Sequence, residues 1–363
     1  MNEIVFNAPI NSLSFGNVSY NLLREMWKRD MKVNFFPVGT NIAFDTFNKI
    51  EKDFLDWFNS SLNNRIKNVR RDHPSLKLWH LNGATERVTR SQSLFTFYEL
   101  DQPTREEVSM INLQDKVFVS SSYTKEIMTL AGIDPSQVTF VPLGLDEDFT
   151  VPDQPKISET INFSLMGKWE KRKHTAEIIK LWAEKYGDNP SYHLNCLVNN
   201  PHMKAEHVNA LIANALGNRR YFNINFIPHL ETNTHINNFI NRMDIDLTGL
   251  SGAEGWNLPA FNSVALGNYA IVLNATAHKD WATKENSILI ESNGKTSAVD
   301  GIFFKEGESF NQGRIFTWDR DEVAEAMDTA INKVKESRIN TEGLKLKDKF
   351  TYSKTLDTIL NNL

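Results

Sequence analysis

A carboxylate, two glycines and a proline-led helix start fall together in the second half of this chain. The stretch Ser251-Gly252-Ala253-Glu254-Gly255-Trp256-Asn257-Leu258-Pro259 leads from a short apolar strand into a helix of small residues. Gly252 and Gly255 allow the backbone close to a ligand. Pro259 suits the first helical turn, where a missing N–H costs nothing. The free N–H groups and positive dipole end of that helix make a seat for a diphosphate. Glu254, just before it, can offer its carboxylate to sugar hydroxyls, and Asn262, one turn inside, can hydrogen-bond a ribose.

A second group is basic. Gly167-Lys168-Trp169-Glu170-Lys171-Arg172-Lys173-His174 follows the apolar run Phe163–Met166. Two cations flanking a bend can clamp two phosphates and neutralise charge that builds on a leaving group. Taken alone, the segment reads as a solvated basic turn. Paired with the Glu254 stretch, it is read as functional.

The elements that must position these groups alternate along the chain. Strands are expected at Ile4–Phe6, Met31–Phe36, Leu76–Leu81, Ser93–Tyr98 and Lys116–Ser120, with a polar loop over Asn7–Asn17 and helices over Ser19–Arg29 and Asp45–Asn63. Leu22, Leu23, Met26 and Trp27 share a face of the first helix. A polar, two-proline break, Val151-Pro152-Asp153-Gln154-Pro155, separates this series from a second one. That series has strands at Thr160–Met166, His193–Val198, Ile224–Ile227, Ile245–Thr248 and Ala270–Leu273, with helices between and a late helix over Asp321–Glu336. Strands separated by helices imply parallel sheets, whose ligands sit beyond the carboxyl ends of the strands.

At 363 residues, two domains are the better expectation. The balance of 40% hydrophobic and 23% charged residues is that of a globular chain. No apolar run is long enough to span a bilayer, and Met1–Phe6 reads as a first buried strand rather than a leader. Cys196 is the only cysteine; it excludes an internal disulfide and a Cys-based zinc site, and suits a reducing cytoplasm. A net charge of −5 gives no general attraction to nucleic acid or anionic lipid. The local exception is the run Arg65, Lys67, Arg70, Arg71 and Lys77, a solvated face or a meeting place for an anionic acceptor.

These segments together resemble the retaining GT-B glycosyltransferases of the glycosyl transferases group 1 type, the mannosyltransferase- and glucosyltransferase-like enzymes. Glu254 to Pro259 follows their Glu-Gly-Phe-Gly-Leu-Pro pattern, with Asn257 at the second Gly and Asn262 at the later, second Glu. Gly267–Val272 resembles their Gly-x-Pro-Val-Ile strand entry. The basic bend is similar to their Gly-Arg…Lys-Gly loop, which makes Lys168 and Lys173 the phosphate pair and Arg172 the alternative. Lys in place of Arg at 168 keeps the charge and loses the bidentate fork. Asp115–Ser122 and Val141–Asp146 match the family's markers for an interdomain boundary near residue 150.

By the same resemblance, Ser14-Phe15-Gly16-Asn17-Val18 stands where a glycine loop closes on the diphosphate, although Gly16 could equally be an ordinary turn glycine. His229 falls where relatives contact the base through backbone groups. Phe95–Pro103 is similar to a Phe-Glu…Pro segment at the cleft, so Glu99 or Asp101 would orient the acceptor or touch the donor sugar; Asp101 reads otherwise as a helix N-cap. His80 is a further cleft position, weighted below Glu99.

The resemblance therefore implies an α/β GT-B chain, two Rossmann-like domains facing across a cleft. Residues 1–150 would bind the acceptor, 151–340 the nucleotide-sugar donor, and 341–363 would form a C-terminal helix returning to the first domain. A hexose would pass, with retention, from a UDP- or GDP-sugar to a hydroxyl of a glycan or glycolipid. No metal or further cofactor is implied; Asp244-Ile245-Asp246 reads as a strand. Glu254, Lys168, Lys173 and Glu99 are the expected catalytic groups. Gly16, Arg172, His229, Gly255, Trp256, Asn257, Leu258, Pro259 and Asn262 are the expected donor contacts. Alternatives are transfer to hydroxymethylated bases in DNA, as in phage enzymes, which the net charge disfavours, and a nucleotide- or glycan-binding protein with a degenerate site. A nonhydrolysing sugar-nucleotide epimerase shares the layout, but its cleft pattern of His and acid is not evident. Contact with a membrane surface would need no spanning segment.

Overall fold

The computed structural model describes residues 3–48, 50–151, 156 and 158–363; the proline-bearing break at 152–155 lies outside the described residues. Two six-stranded parallel sheets form the frame. The first holds β1 (Glu3–Ile10), β2 (Lys32–Ile42), β3 (Ser75–Leu78), β4 (Gln92–Thr96), β5 (Lys116–Val119) and β6 (Val138–Phe140), in the order β2-β1-β3-β4-β5-β6. The second holds β7 (Ile161–Met166), β8 (Tyr192–Leu197), β9 (Ile224–Phe226), β10 (Ile245–Asp246), β11 (Tyr269–Leu273) and β12 (Ile288–Ile290), in the order β12-β11-β10-β7-β8-β9. Central strands such as β1 are buried almost throughout, as strands covered on both faces must be. Each sheet reverses its winding once, at β1/β3 and at β7/β10. Crevices open at such switch points, and both candidate segments follow strands of the second one.

Helices α1 (Ser14–Lys28), α2 (Lys52–Lys67), α3 (Arg105–Asn112) and α4 (Ser122–Leu130) belong to the first sheet. Helices α5 (Thr175–Tyr186), α6 (Ala205–Ala215), α7 (Asn233–Asn241), α8 (Leu258–Ala265) and α9 (Arg320–Glu336) belong to the second. Among the described residues no helix is long and apolar enough to cross a membrane.

Several boundaries differ from the expectation. The first strand runs on to Ile10 and α1 begins at Ser14, so Gly16 sits inside the first helical turn. A Cβ there would lie 2.4 Å from the backbone N and O of Asn11, so it is the tight strand-to-helix return that demands glycine. The expected helix from Asp45 starts instead at Lys52, because Phe44 and Phe47 are spent on Tyr20 of α1; Phe47 stacks on that ring at 3.9 Å. Lys77 leaves the basic run: its side chain is 2% exposed and its Nζ donates to Glu86 O at 2.9 Å.

Two features were not foreseen. An antiparallel hairpin, β13 (Ser292–Ser297) with β14 (Arg314–Trp318), reaches from the second domain to the first. Its loop buries Phe304 against the cluster of Leu81, Leu94, Tyr98 and Leu100, and Asp101 ties it down, accepting from Lys295 Nζ at 2.9 Å and Arg314 N at 2.8 Å. The terminal segment, expected as one helix, is broken into α10 (Thr341–Leu344), α11 (Leu346–Lys349) and α12 (Tyr352–Leu360). Phe350, Tyr352, Leu356 and Ile359 complete a core shared with β1, α1 and Phe261 of α8. Leu145 N donates to Phe350 O at 3.1 Å and Thr355 Oγ1 to Pro142 O at 2.8 Å.

Gly144 sits under this crossing, where an added Cβ would fall 2.3 Å from Tyr352 N. Neither backbone can yield cheaply, so Gly144→Ala is expected to lower stability by about 1–3 kcal/mol. Limited proteolysis should then cut first between residues 340 and 352, and an unchanged pattern would count against the role given to the crossing.

Candidate active site

β7 ends at Met166 and the chain turns at Gly167, whose φ of +120° only glycine adopts easily. Lys173 folds back over this turn, its Cε 3.2 Å from where a Cβ would stand. Lys173 Nζ donates to Glu254 Oε1 at 2.5 Å. Arg172 reaches the same oxygen at 3.1 Å and also donates to Ala253 O at 2.7 Å. Its Nε lies 3.3 Å from Glu99 Oε1 and 2.8 Å from Glu170 Oε2. The Nε–Glu170 pair is close but misaligned, and among the described residues neither atom has a hydrogen-bond partner. His174, with φ of 52°, takes the left-handed position where the resemblance expects glycine, and its Nε2 bonds Phe316 O at 2.8 Å.

Lys168 stands apart from these pairs. It is half-buried, with its Nζ 5.4 Å above the Phe303 ring, and among the described residues no carboxylate pairs with it. Burial pushes its ammonium below the usual lysine range.

The loop carrying Glu254 is fixed at both ends. Gly252 N donates to Arg172 O at 2.7 Å, and a Cβ on Gly252 would meet Phe316 O at 2.3 Å. Gly255 docks on the first domain: its carbonyl accepts from Ser120 Oγ at 2.6 Å, and a Cβ there would lie 3.0 Å from the Phe97 Cβ, a tight fit. Burial pushes the Glu254 carboxyl up, but Arg172 and Lys173 outweigh burial and hold it at about 2. It is a carboxylate at every physiological pH.

Asn257 stands where the family pattern has glycine for a visible reason. It caps α8 with φ of 67°, a left-handed conformation that asparagine tolerates. Its Nδ2 donates to Thr248 O at 3.0 Å and to His278 Nε2 at 2.9 Å. His278 in turn donates from Nδ1 to Leu273 O at 2.9 Å, and burial lowers its pKa to about 4, so it is a neutral strut. Nothing in the sequence around His278 marks it. Leu258 and Pro259 open α8 as expected. Asn262 is 9% exposed, and its Oδ1 has no hydrogen-bond partner among the described residues.

Not every expected contact converges here. The Trp256 side chain is 3% exposed, packed on Phe261 and Phe350, so only its backbone belongs to the loop. His229 is exposed after edge strand β9, two strands from β7. Asp101 is spent on the hairpin and is no N-cap; Thr104 caps α3, in a capping box with Glu107. Among the described residues no group of His, Cys, Asp and Glu is placed to hold a metal ion. Asp246 is buried under bonds from Ser164 and Thr248.

From the first domain, Glu99 reaches Arg172. Burial pushes its carboxyl up to about 7, Arg172 opposing and Glu254 and Glu170 reinforcing the rise. His80 is exposed, its ring tilted against Phe15 with centroids 4.5 Å apart, and faces Lys168.

Two parallel α/β domains, joined by a charged contact at the ends of their strands, define the GT-B fold. Solved structures agree. The chain is similar to sucrose-phosphate synthase from Thermosynechococcus elongatus, at 12% identity and a TM-score of 0.69, over 99% of this chain and 98% of that one. It is similar to Anabaena HepE in complex with UDP and glucose, at 10% identity and a TM-score of 0.68, again over 99% and 98%. A glycosyltransferase from Rickettsia africae gives 12% identity and a TM-score of 0.66, over 99% and 97%. At such identities the likeness establishes the fold. No family model and no curated protein matches the chain.

Proposed function

We propose that this chain is a retaining glycosyltransferase that moves a hexose from a UDP- or GDP-sugar to a hydroxyl of a glycan or glycolipid. The observation that carries the reading is the junction of Glu254, Lys173 and Arg172 at the β7/β10 switch point, one turn from the start of α8. The HepE structure contains UDP and glucose, which supports a nucleotide-sugar ligand for this fold.

In this mechanism the pyrophosphate takes Lys173 from Glu254 and adds Lys168, with the N–H groups that open α8 as further donors. Glu254, 5% exposed while its cations cover it, then turns to the hydroxyls of the sugar. Asn262 Oδ1, buried and unpartnered, accepts from a ribose hydroxyl. As the glycosidic bond to phosphate breaks, the cations stabilise the departing oxygen. That oxygen takes the proton of the incoming hydroxyl on the same face, which gives retention. A lipid-linked acceptor would meet Arg65, Lys67, Arg70 and Arg71 near the end of α2; with Lys77 buried, the run offers less to a DNA backbone.

The test is donor hydrolysis and transfer against a panel of UDP-, GDP- and ADP-sugars. Lys168→Met is expected to weaken donor binding about 10- to 100-fold, the weight of one charge-assisted phosphate contact, with the fold intact because among the described residues no carboxylate pairs with Lys168. A donor KM unchanged in this variant would remove Lys168 from the site. Binding of nucleotide with no turnover by any donor would mark a binding protein instead.

A further inference from the structure

Charge balance decides what can enter this cluster. Three cations, Lys168, Arg172 and Lys173, meet three carboxylates, Glu99, Glu170 and Glu254. With all six ionised the group is neutral, and a pyrophosphate would bring two further negative charges against Glu99 and Glu170. Like charges at contact distance in a largely buried place cannot all stay ionised. One carboxylate must give way.

Geometry singles out Glu99. Glu254 holds two cations, at 2.5 and 3.1 Å, and Glu170 lies 2.8 Å from Arg172. Glu99 has Arg172 alone, at 3.3 Å. Its side chain is 23% exposed, against 4% for Glu170 and 7% for Glu254, so solvent reaches it most readily. It is also the one member contributed by the first domain, just beyond β4. We propose that the donor enters together with one proton, taken from solvent onto Glu99, which frees Arg172 to face the pyrophosphate. The inference rests on the donor site argued above.

The step is simple in its chemistry. A carboxylate and a proton become a carboxylic acid, one O–H bond forms, and the donor binds unchanged. The groups facing Glu99 are Lys168, Glu170, Arg172 and Lys173 from the basic bend and Glu254 from the loop before α8. Asp101, two residues along, is held by Lys295 and Arg314. Burial together with Glu254 and Glu170 sets the Glu99 carboxyl at about 7, against the pull of Arg172, so the proton is exchanged near neutrality.

Calorimetry tests this with UDP-glucose, GDP-mannose and ADP-glucose, whose pyrophosphate diesters carry no titrating proton near neutrality. In two buffers of different ionisation enthalpy, at about pH 8, uptake of about one proton per donor is expected, with affinity falling close to tenfold per pH unit above neutrality. Glu99→Gln, which cannot ionise, should bind without uptake and with a flat pH profile. Tight binding by the wild type with no uptake would overturn the proton and leave the donor site standing. Uptake that persists in Glu99→Gln would overturn its assignment to Glu99. No binding of any of the three sugars would overturn the donor site, and this inference with it.

Discussion

Replacing Glu254 by Gln is expected to cut sugar transfer by about a hundred- to a thousandfold, the loss seen when one preorganised polar group is withdrawn from a reacting centre. Gln keeps the shape but not the charge. Arg172 and Lys173, whose side chains are 12% and 11% exposed, would lose the carboxylate that both share. Breaking a buried pair costs about 3–5 kcal/mol, and the remaining ion pairs of Arg172 with Glu99 and Glu170, with its hydrogen bond to Ala253 O, keep the figure toward the lower end. The two effects separate in a paired measurement, turnover under saturating donor and urea unfolding on the same preparation. Turnover within tenfold of the wild type would show that the carboxylate takes no part in the reaction.

Arg24→Met carries the largest expected effect on stability. Arg24 of α1 lies 2.7 Å from Asp146 and 3.1 Å from Asp148, with its guanidinium 5.0 Å over Tyr20. Asn21 from α1 and Asn233 from α7 donate to the same Asp146 carboxylate, so the carboxylate that Arg24 neutralises joins the first domain, the segment before the break and the second domain. Asp146 is 3% exposed. Burial raises its pKa while Arg24 opposes that rise; without Arg24 the pKa climbs further. The loss should be about 3–5 kcal/mol at neutral pH, where the stranded carboxylate must ionise or bind a proton, and smaller in acid, where it is already protonated. Adding Asp146→Asn should recover part of it. Urea unfolding at two pH values decides the matter, and a loss below about 1 kcal/mol would place Arg24 among the ordinary surface ion pairs.

Much of the candidate site was legible because its residues are close in sequence and of distinctive chemistry. Glu254 to Pro259 carries a carboxylate, a glycine and a helix start in six positions, and the bend at 167–174 places its cations on a single turn. What could not be read was the placement of each cation. Lys168 and Lys173 looked like a pair with Arg172 in reserve, whereas Arg172 is the hub and Lys168 the outlier, because burial and partner number are set by residues from both domains. The domain pattern was also legible, since parallel strands carry continuous apolar runs. The hairpin at 292–318 was not. Ser292-Asn293-Gly294-Lys295-Thr296-Ser297 has no apolar alternation, and the strand exists because Asp101 and the Phe304 contact hold it. Trp256 is a different case: the family pattern fixes its place in the loop, but its bulk packs on Phe261 of α8 and on Phe350, just before the last helix.

That last helix sets an order of events during synthesis. Phe350, Tyr352, Leu356 and Ile359 are translated long after the apolar face they seal, which is built mainly from residues before 145. A ribosome-bound chain therefore carries its first domain unfinished until residues 350–359 have been made. Throughout that interval an oily furrow stays open to neighbouring chains, a species of the kind that chaperones shield.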